Sequence, residues 1–88
     1  MTYKIVFKKS AEKEFKKLPS EVKTSILEII NFLGINPYSS HLNIKKLRGV
    51  AADLYRVRSG DYRIIYSVEK DILKIIIIKI GHRKVVYD

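Results

Sequence analysis

The stretch Asp53–Val68, DLYRVRSGDYRIIYSV, constrains the chain more than any other. It is two alternating polar and apolar runs joined at Gly60-Asp61. Period-two alternation on either side of a Gly-Asp dipeptide signals a β-hairpin. Glycine at the first central position suits a type II′ turn, whose positive φ costs glycine little. With Gly60 and Asp61 as the loop residues, Ser59 faces Tyr62, Arg58 faces Arg63 and Val57 faces Ile64. Side chains of a strand alternate between its faces. Arg56, Arg58 and Arg63 therefore fall on one side, and Tyr55, Val57, Tyr62, Ile64 and Tyr66 on the other.

Like charges directly opposite each other destabilise an antiparallel pair by several tenths of a kcal/mol, on a cross-strand scale of about 0.2–1 kcal/mol. Folding alone does not favour facing arginines. A solvated outer sheet face is one reading of them. A surface prepared for phosphates is the favoured one, and composition supports it. Among 88 residues, 18 Lys+Arg stand against 9 Asp+Glu, a net charge of +9. That excess points to an acidic partner: nucleic acid, an anionic membrane or an acidic protein.

The length suits one domain, residues 1–88, with one core. The absence of cysteine excludes disulfides and cysteine-bound metal. The Met1–Phe7 start reads as no signal peptide. The longest apolar run, Ile75–Ile78, is far too short to span a bilayer. A cytoplasmic location without membrane attachment is the default expectation.

In chain order, the alternation of Tyr3, Ile5 and Phe7 with lysines predicts a strand over about 2–8. Ser10 is the expected N-cap of a short helix with Ala11, Phe15 and Leu18 on its apolar stripe, ended by Pro19. Ser20 is the expected cap of a second helix, whose apolar face is Val22, Ile26, Ile29, Ile30 and Leu33, with Gly34 as its stop. Residues 36–43 read as a loop. Residues 44–49 fit a short extended piece or an extra turn, and bring Lys45, Lys46 and Arg48 beside the hairpin. Strands follow over about 53–59, 62–69 and 72–80.

The last strand is apolar on both parities, Leu73, Ile75 and Ile77 against Ile72, Ile76, Ile78 and Ile80. That places it inside a sheet, between the hairpin and the N-terminal strand. The expected architecture is α+β: β-α-α-β-β-β, with both helices on one face of a mostly antiparallel sheet of about four strands. In the tail, Gly81 can turn the chain. His82, Arg83 and Tyr87 are then candidates for the end of the sheet near the arginine face.

Three segments together resemble a known family: KLRG at Lys46–Gly49, LYRVRSGDYRIIY at Leu54–Tyr66, and GHRKVVY at Gly81–Tyr87. The ordered set is similar to the RelE toxins of the RelE/ParE superfamily, over essentially the whole chain. The resemblance implies the toxin of a type II toxin–antitoxin pair with a compact, microbial-ribonuclease-like fold. It implies entry into the ribosomal A site, cleavage of messenger RNA there, and inhibition by a cognate antitoxin that wraps the toxin. By position, the basic residues holding RNA fall on Arg56, Arg58, Arg63 and Arg83, and the C-terminal tyrosine on Tyr87. Two departures stand out. The best-known bacterial member carries lysines where this chain has Arg56 and Arg58, and its spacing between the final arginine and tyrosine is two residues longer. Lysine can give up a proton, whereas arginine in practice cannot.

Attack of the 2′-OH on its own phosphate needs no metal and no cofactor. It needs a base, positive charge around the phosphorane, and an acid for the leaving 5′ oxygen. Arg58, Arg63 and Arg83 suit the charge role, with Arg56, Tyr87 and His82 behind them. Guanidinium groups fork onto phosphate oxygens, and His82 is the nearby group whose type titrates near neutrality. Lys45, Lys46, Arg48 and Arg56 are candidates for RNA binding. Asp53 and Asp61 read as turn residues, and no acidic pair is arranged for metal. Two other readings stand beside the nuclease: a ParE-like gyrase inhibitor, and an inactive basic module that binds RNA or an antitoxin.

Overall fold

The computed structural model describes residues 2–47 and 54–82. The order is β1 (Lys4–Phe7), α1 (Lys9–Lys16), α2 (Ser20–Ile35), β2 (Ile44–Leu47), β3 (Leu54–Ser59), β4 (Tyr62–Glu69), a 3-10 turn (Lys70–Ile72) and β5 (Lys74–His82). The strands form one five-stranded sheet in the order β1-β5-β4-β3-β2. Among the described strands, only the β1–β5 pair is parallel. The expected α+β architecture is present, with one strand more than the four anticipated. Residues 44–47 settle into an edge strand rather than a turn.

The core lies between the helices and one sheet face. Ala11, Ile26 and Leu33 from the helices meet Val57, Ile64, Tyr66, Ile75 and Ile77 from the sheet, all fully buried. α1 packs on β5, and its Phe15 ring lies 5.8 Å from that of Phe7 on β1. β5 is interior, as its apolar character on both parities requires.

The helix ends differ from expectation. Neither helix has a side-chain cap: the cap positions are Lys8 and Pro19, so Ser10 and Ser20 sit inside their helices. Extended backbone at Lys8 and Pro19 starts each helix without the serine hydroxyls. Gly34 does not stop α2, which runs on to Ile35. Instead, Gly34 is where the helix meets the N-terminal segment. Its carbonyl accepts the Tyr3 N–H at 2.7 Å, and an added Cβ would lie 3.5 Å from the Tyr3 carbonyl oxygen.

Tyr66 ties the loop after α2 to the sheet. Its hydroxyl donates to the Pro37 carbonyl at 2.7 Å, in a buried setting. Its ring stacks on Tyr55 at 5.6 Å, and Tyr55 meets the edge of Tyr38 at 5.4 Å. Burial, then the nearby Tyr55 and Tyr38, pushes the Tyr66 phenol well above its ordinary range.

Candidate nucleic-acid interface

The hairpin register is the one the dipeptide implies. Ser59 pairs with Tyr62, Arg58 with Arg63, and Val57 with Ile64. Gly60 takes a φ of 58°, while Asp61 is not among the positive-φ residues, as a type II′ turn requires. Directly paired residues share a face, so the ladders can be read straight across the sheet. One row runs Lys45–Arg56–Ile65–Lys79, and the next runs Arg58–Arg63–Gly81. On the reverse, against the helices, run Ile44–Val57–Ile64–Ile80 and Lys46–Tyr55–Tyr66–Ile77.

Three arginines therefore share one face, with Lys45 and Lys79 beside them. No carboxylate occupies either cationic row. The face is not uniformly open, however. Arg58 is exposed, while Arg63 is 2% and Arg56 7% exposed. Arg56 pairs with Lys45 and Ile65, and Arg63 with Arg58 and Gly81, whereas Arg58 lies one residue beyond the Ile44–Val57 pair that ends the β2–β3 ladder. The alternation pattern carries facing but not depth, which is why the sequence did not separate the three.

His82 is a correction. It pairs with Tyr62, and its ring meets the Tyr62 ring edge-on at 5.5 Å. Tyr62 packs against the core. His82 thus lies on the helix side of the sheet, opposite the face of Arg58 and Arg63, and not near it as expected. Lys46 is also on the helix side, in the row of Tyr55, so of the two neighbouring lysines only Lys45 joins the arginines. Arg48, Arg83 and Tyr87 lie outside the described residues.

Lys79 escaped the sequence reading. In simple alternation it is in phase with Ile75 and Ile77, which face the helices. The β4–β5 ladder has a bulge, however: Ile65 pairs with Lys79 but Tyr66 with Ile77, leaving Ile78 as the extra residue. One inserted residue reverses the facing of everything beyond it. Ile80 turns to the core, where it is 1% exposed, and Lys79 turns to the arginines. The grouping of Ile80 with Ile76 and Ile78 is corrected by the same bulge. A signal was present: a lysine in phase with two core isoleucines cannot follow them under the helices.

Among the described residues, concavities of about 510 Å³ beside Val68–Ile72 and about 340 Å³ between α2 and the hairpin tip lie away from the cationic rows and are lined by residues of neither. Two parallel cationic rows running across the sheet suit an extended anionic polymer. Among the described residues, no group of three or more His, Asp or Glu is placed to hold a metal ion. No described helix is long and apolar enough to cross a membrane.

Comparison with known proteins gives a consistent result. Residues 5–87 match the family described as the ParE toxin of type II toxin–antitoxin systems. The toxin RelE3 of Methanocaldococcus jannaschii is 36% identical, over 97% of this chain and 96% of its own. Among solved structures, the archaeal RelE–RelB complex from Pyrococcus horikoshii superposes with a TM-score of 0.82 at 36% identity, covering 94% of this chain and 97% of the other. The isolated Escherichia coli RelE toxin superposes with a TM-score of 0.77 at 26% identity, covering 91% and 83%.

Proposed function

The chain belongs to the RelE/ParE toxins of type II toxin–antitoxin systems, and we propose that it is a ribosome-dependent messenger RNA endonuclease of the RelE kind, acting in the cytoplasm. The observation that carries this reading is the pair of cationic ladder rows on one sheet face, with no carboxylate in either row.

In the proposed reaction the 2′-OH attacks the adjacent phosphorus and the P–O5′ bond breaks, leaving a 2′,3′-cyclic phosphate; a base takes the 2′ proton and the departing 5′ oxygen gains one, so no metal is called on. Arg58, the exposed member of the opposed arginine pair, meets the phosphate first. Arg63 and Arg56 add positive charge from below the surface, where a lower dielectric strengthens it. Arg83 and Tyr87 are assigned to the same site by resemblance alone. His82, on the reverse of the sheet, is left out of the proton transfer. A face dominated by arginines is poor in acid–base groups, and this fits an enzyme whose substrate is oriented for it. Orientation alone supplies on the order of 7–11 kcal/mol.

The second partner is a cognate antitoxin, in line with the RelE–RelB complexes among the structural relatives. Phe32 and Ile35 on α2, 59% and 64% exposed, offer apolar surface to an amphipathic segment. Such a segment would carry acidic residues to match the net charge of +9.

Inducing the chain in cells and mapping message 5′ ends tests the reading. Breaks inside translated codons, absent for Arg58→Ala, are expected. Because the matching family is described as ParE, gyrase inhibition is the competing activity. Altered plasmid supercoiling with intact messages would select it.

A further inference from the structure

The bulge in β5 has a chemical result. It lifts Lys79 out of phase with the core isoleucines and sets it at the end of the Lys45–Arg56–Ile65–Lys79 row. Lys79 is also the diagonal neighbour of Arg63, since Arg63 pairs with Gly81 and Ile65 with Lys79. Diagonal neighbours lie within reach of long side chains. Lys79 is half-buried and makes no ion pair with a described residue. Its stem can lie along Ile65 while the ammonium stays at the surface.

Another cation next to Arg63 does nothing for folding, and bulges commonly serve to re-aim a side chain. The row crosses four strands. At about 4.8 Å per strand spacing it spans roughly 14 Å, with a lysine at each end and Arg56 between them. That is a path running across the strands, parallel to the Arg58–Arg63 row.

We propose that Lys79 is a phosphate-contacting residue of the RNA surface, holding the backbone of the RNA next to the phosphate that is cut, so that the strand crosses the sheet from Lys45 towards Lys79. The proposal rests on the nuclease reading above. It is a binding role, requiring charge and not proton loss, so arginine can replace lysine there.

The test is cleavage of messenger RNA on programmed ribosomes by the full chain, measured against ribosome concentration and salt. Lys79→Gln and Lys79→Met remove the charge, and methionine keeps an apolar stem if glutamine disturbs folding. Each is expected to raise KM about tenfold, the size of one charge-assisted phosphate contact, with kcat largely kept. The slope of log affinity against log salt should flatten by about 0.7, the single-strand value for one phosphate contact. Lys79→Arg should restore both. Lys13→Gln, an equal charge loss on the exposed side of α1, should leave KM close to the parent value. Unchanged KM and salt slope in both neutral variants would overturn the proposal, and so would failure of Lys79→Arg to restore them. If the parent chain itself does not cut, the nuclease reading falls with it. If the parent cuts and the neutral variants match it, only the role of Lys79 falls.

Discussion

Arg58 and Arg63 stand directly opposite each other across β3 and β4, yet one is exposed and the other only 2% exposed. The two members of the pair should therefore respond differently to truncation. Arg58→Ala should leave stability within about 0.5 kcal/mol of the parent and, on the proposed nuclease reading, lower the cleavage rate by about 10²–10³, the range for losing one preorganised charge donor. Arg63→Ala removes a packed stem as well, and should cost about 2–4 kcal/mol of stability. Urea denaturation alongside ribosome cleavage separates the two effects.

Tyr66 joins stability to pH. Tyr66→Phe leaves the Pro37 carbonyl buried without its donor, and should cost about 1–2 kcal/mol. Its phenol is held above its ordinary value of 10.0, chiefly by burial. The folded state therefore keeps the proton to higher pH than the unfolded chain does. The stability this contributes is complete below about pH 10 and is lost as pH rises beyond it. Thermal unfolding across the alkaline range should show a steeper decline for the parent than for Tyr66→Phe.

Glu14 on α1 reaches across to the sheet, its Oε1 accepting the Ile80 N–H at 3.0 Å. The β1–β5 pairing ends at Phe7 and Ile77, so this carboxylate serves an amide on the part of β5 that β1 does not cover. Glu14→Ala should cost about 1–2 kcal/mol and speed amide exchange at Ile80. Glu14→Gln keeps an acceptor and should stay within about 0.5 kcal/mol of the parent.

At the hairpin tip, a Cβ on Gly60 would meet nothing within 4 Å, but φ is 58°. Gly60→Ala should therefore lose about 1 kcal/mol through backbone conformation alone. Gly60→Asn should recover part of that loss, because asparagine tolerates positive φ better than alanine. Equilibrium denaturation of the two variants checks the order.

The hairpin was legible in the sequence because its information is local. A period of two and a Gly-Asp turn fix which residues face each other, and so put Arg56, Arg58 and Arg63 on one side. The two helices, the interior place of β5 and the α+β architecture follow from periodicity in the same way. Tertiary structure decided what depends on neighbours distant in sequence. Arg56 and Arg63 became shielded while Arg58 stayed exposed, a difference in depth that alternation along a strand does not carry. His82 went to the core side and Lys79 to the cationic side because a single bulged residue, Ile78, shifted the phase of β5. Gly34 became a helix contact rather than a helix stop because Tyr3 packs against it. Alternation along one strand specifies the facing of its residues only while the ladder stays regular, and that regularity is a property of the paired strand as much as of the strand itself.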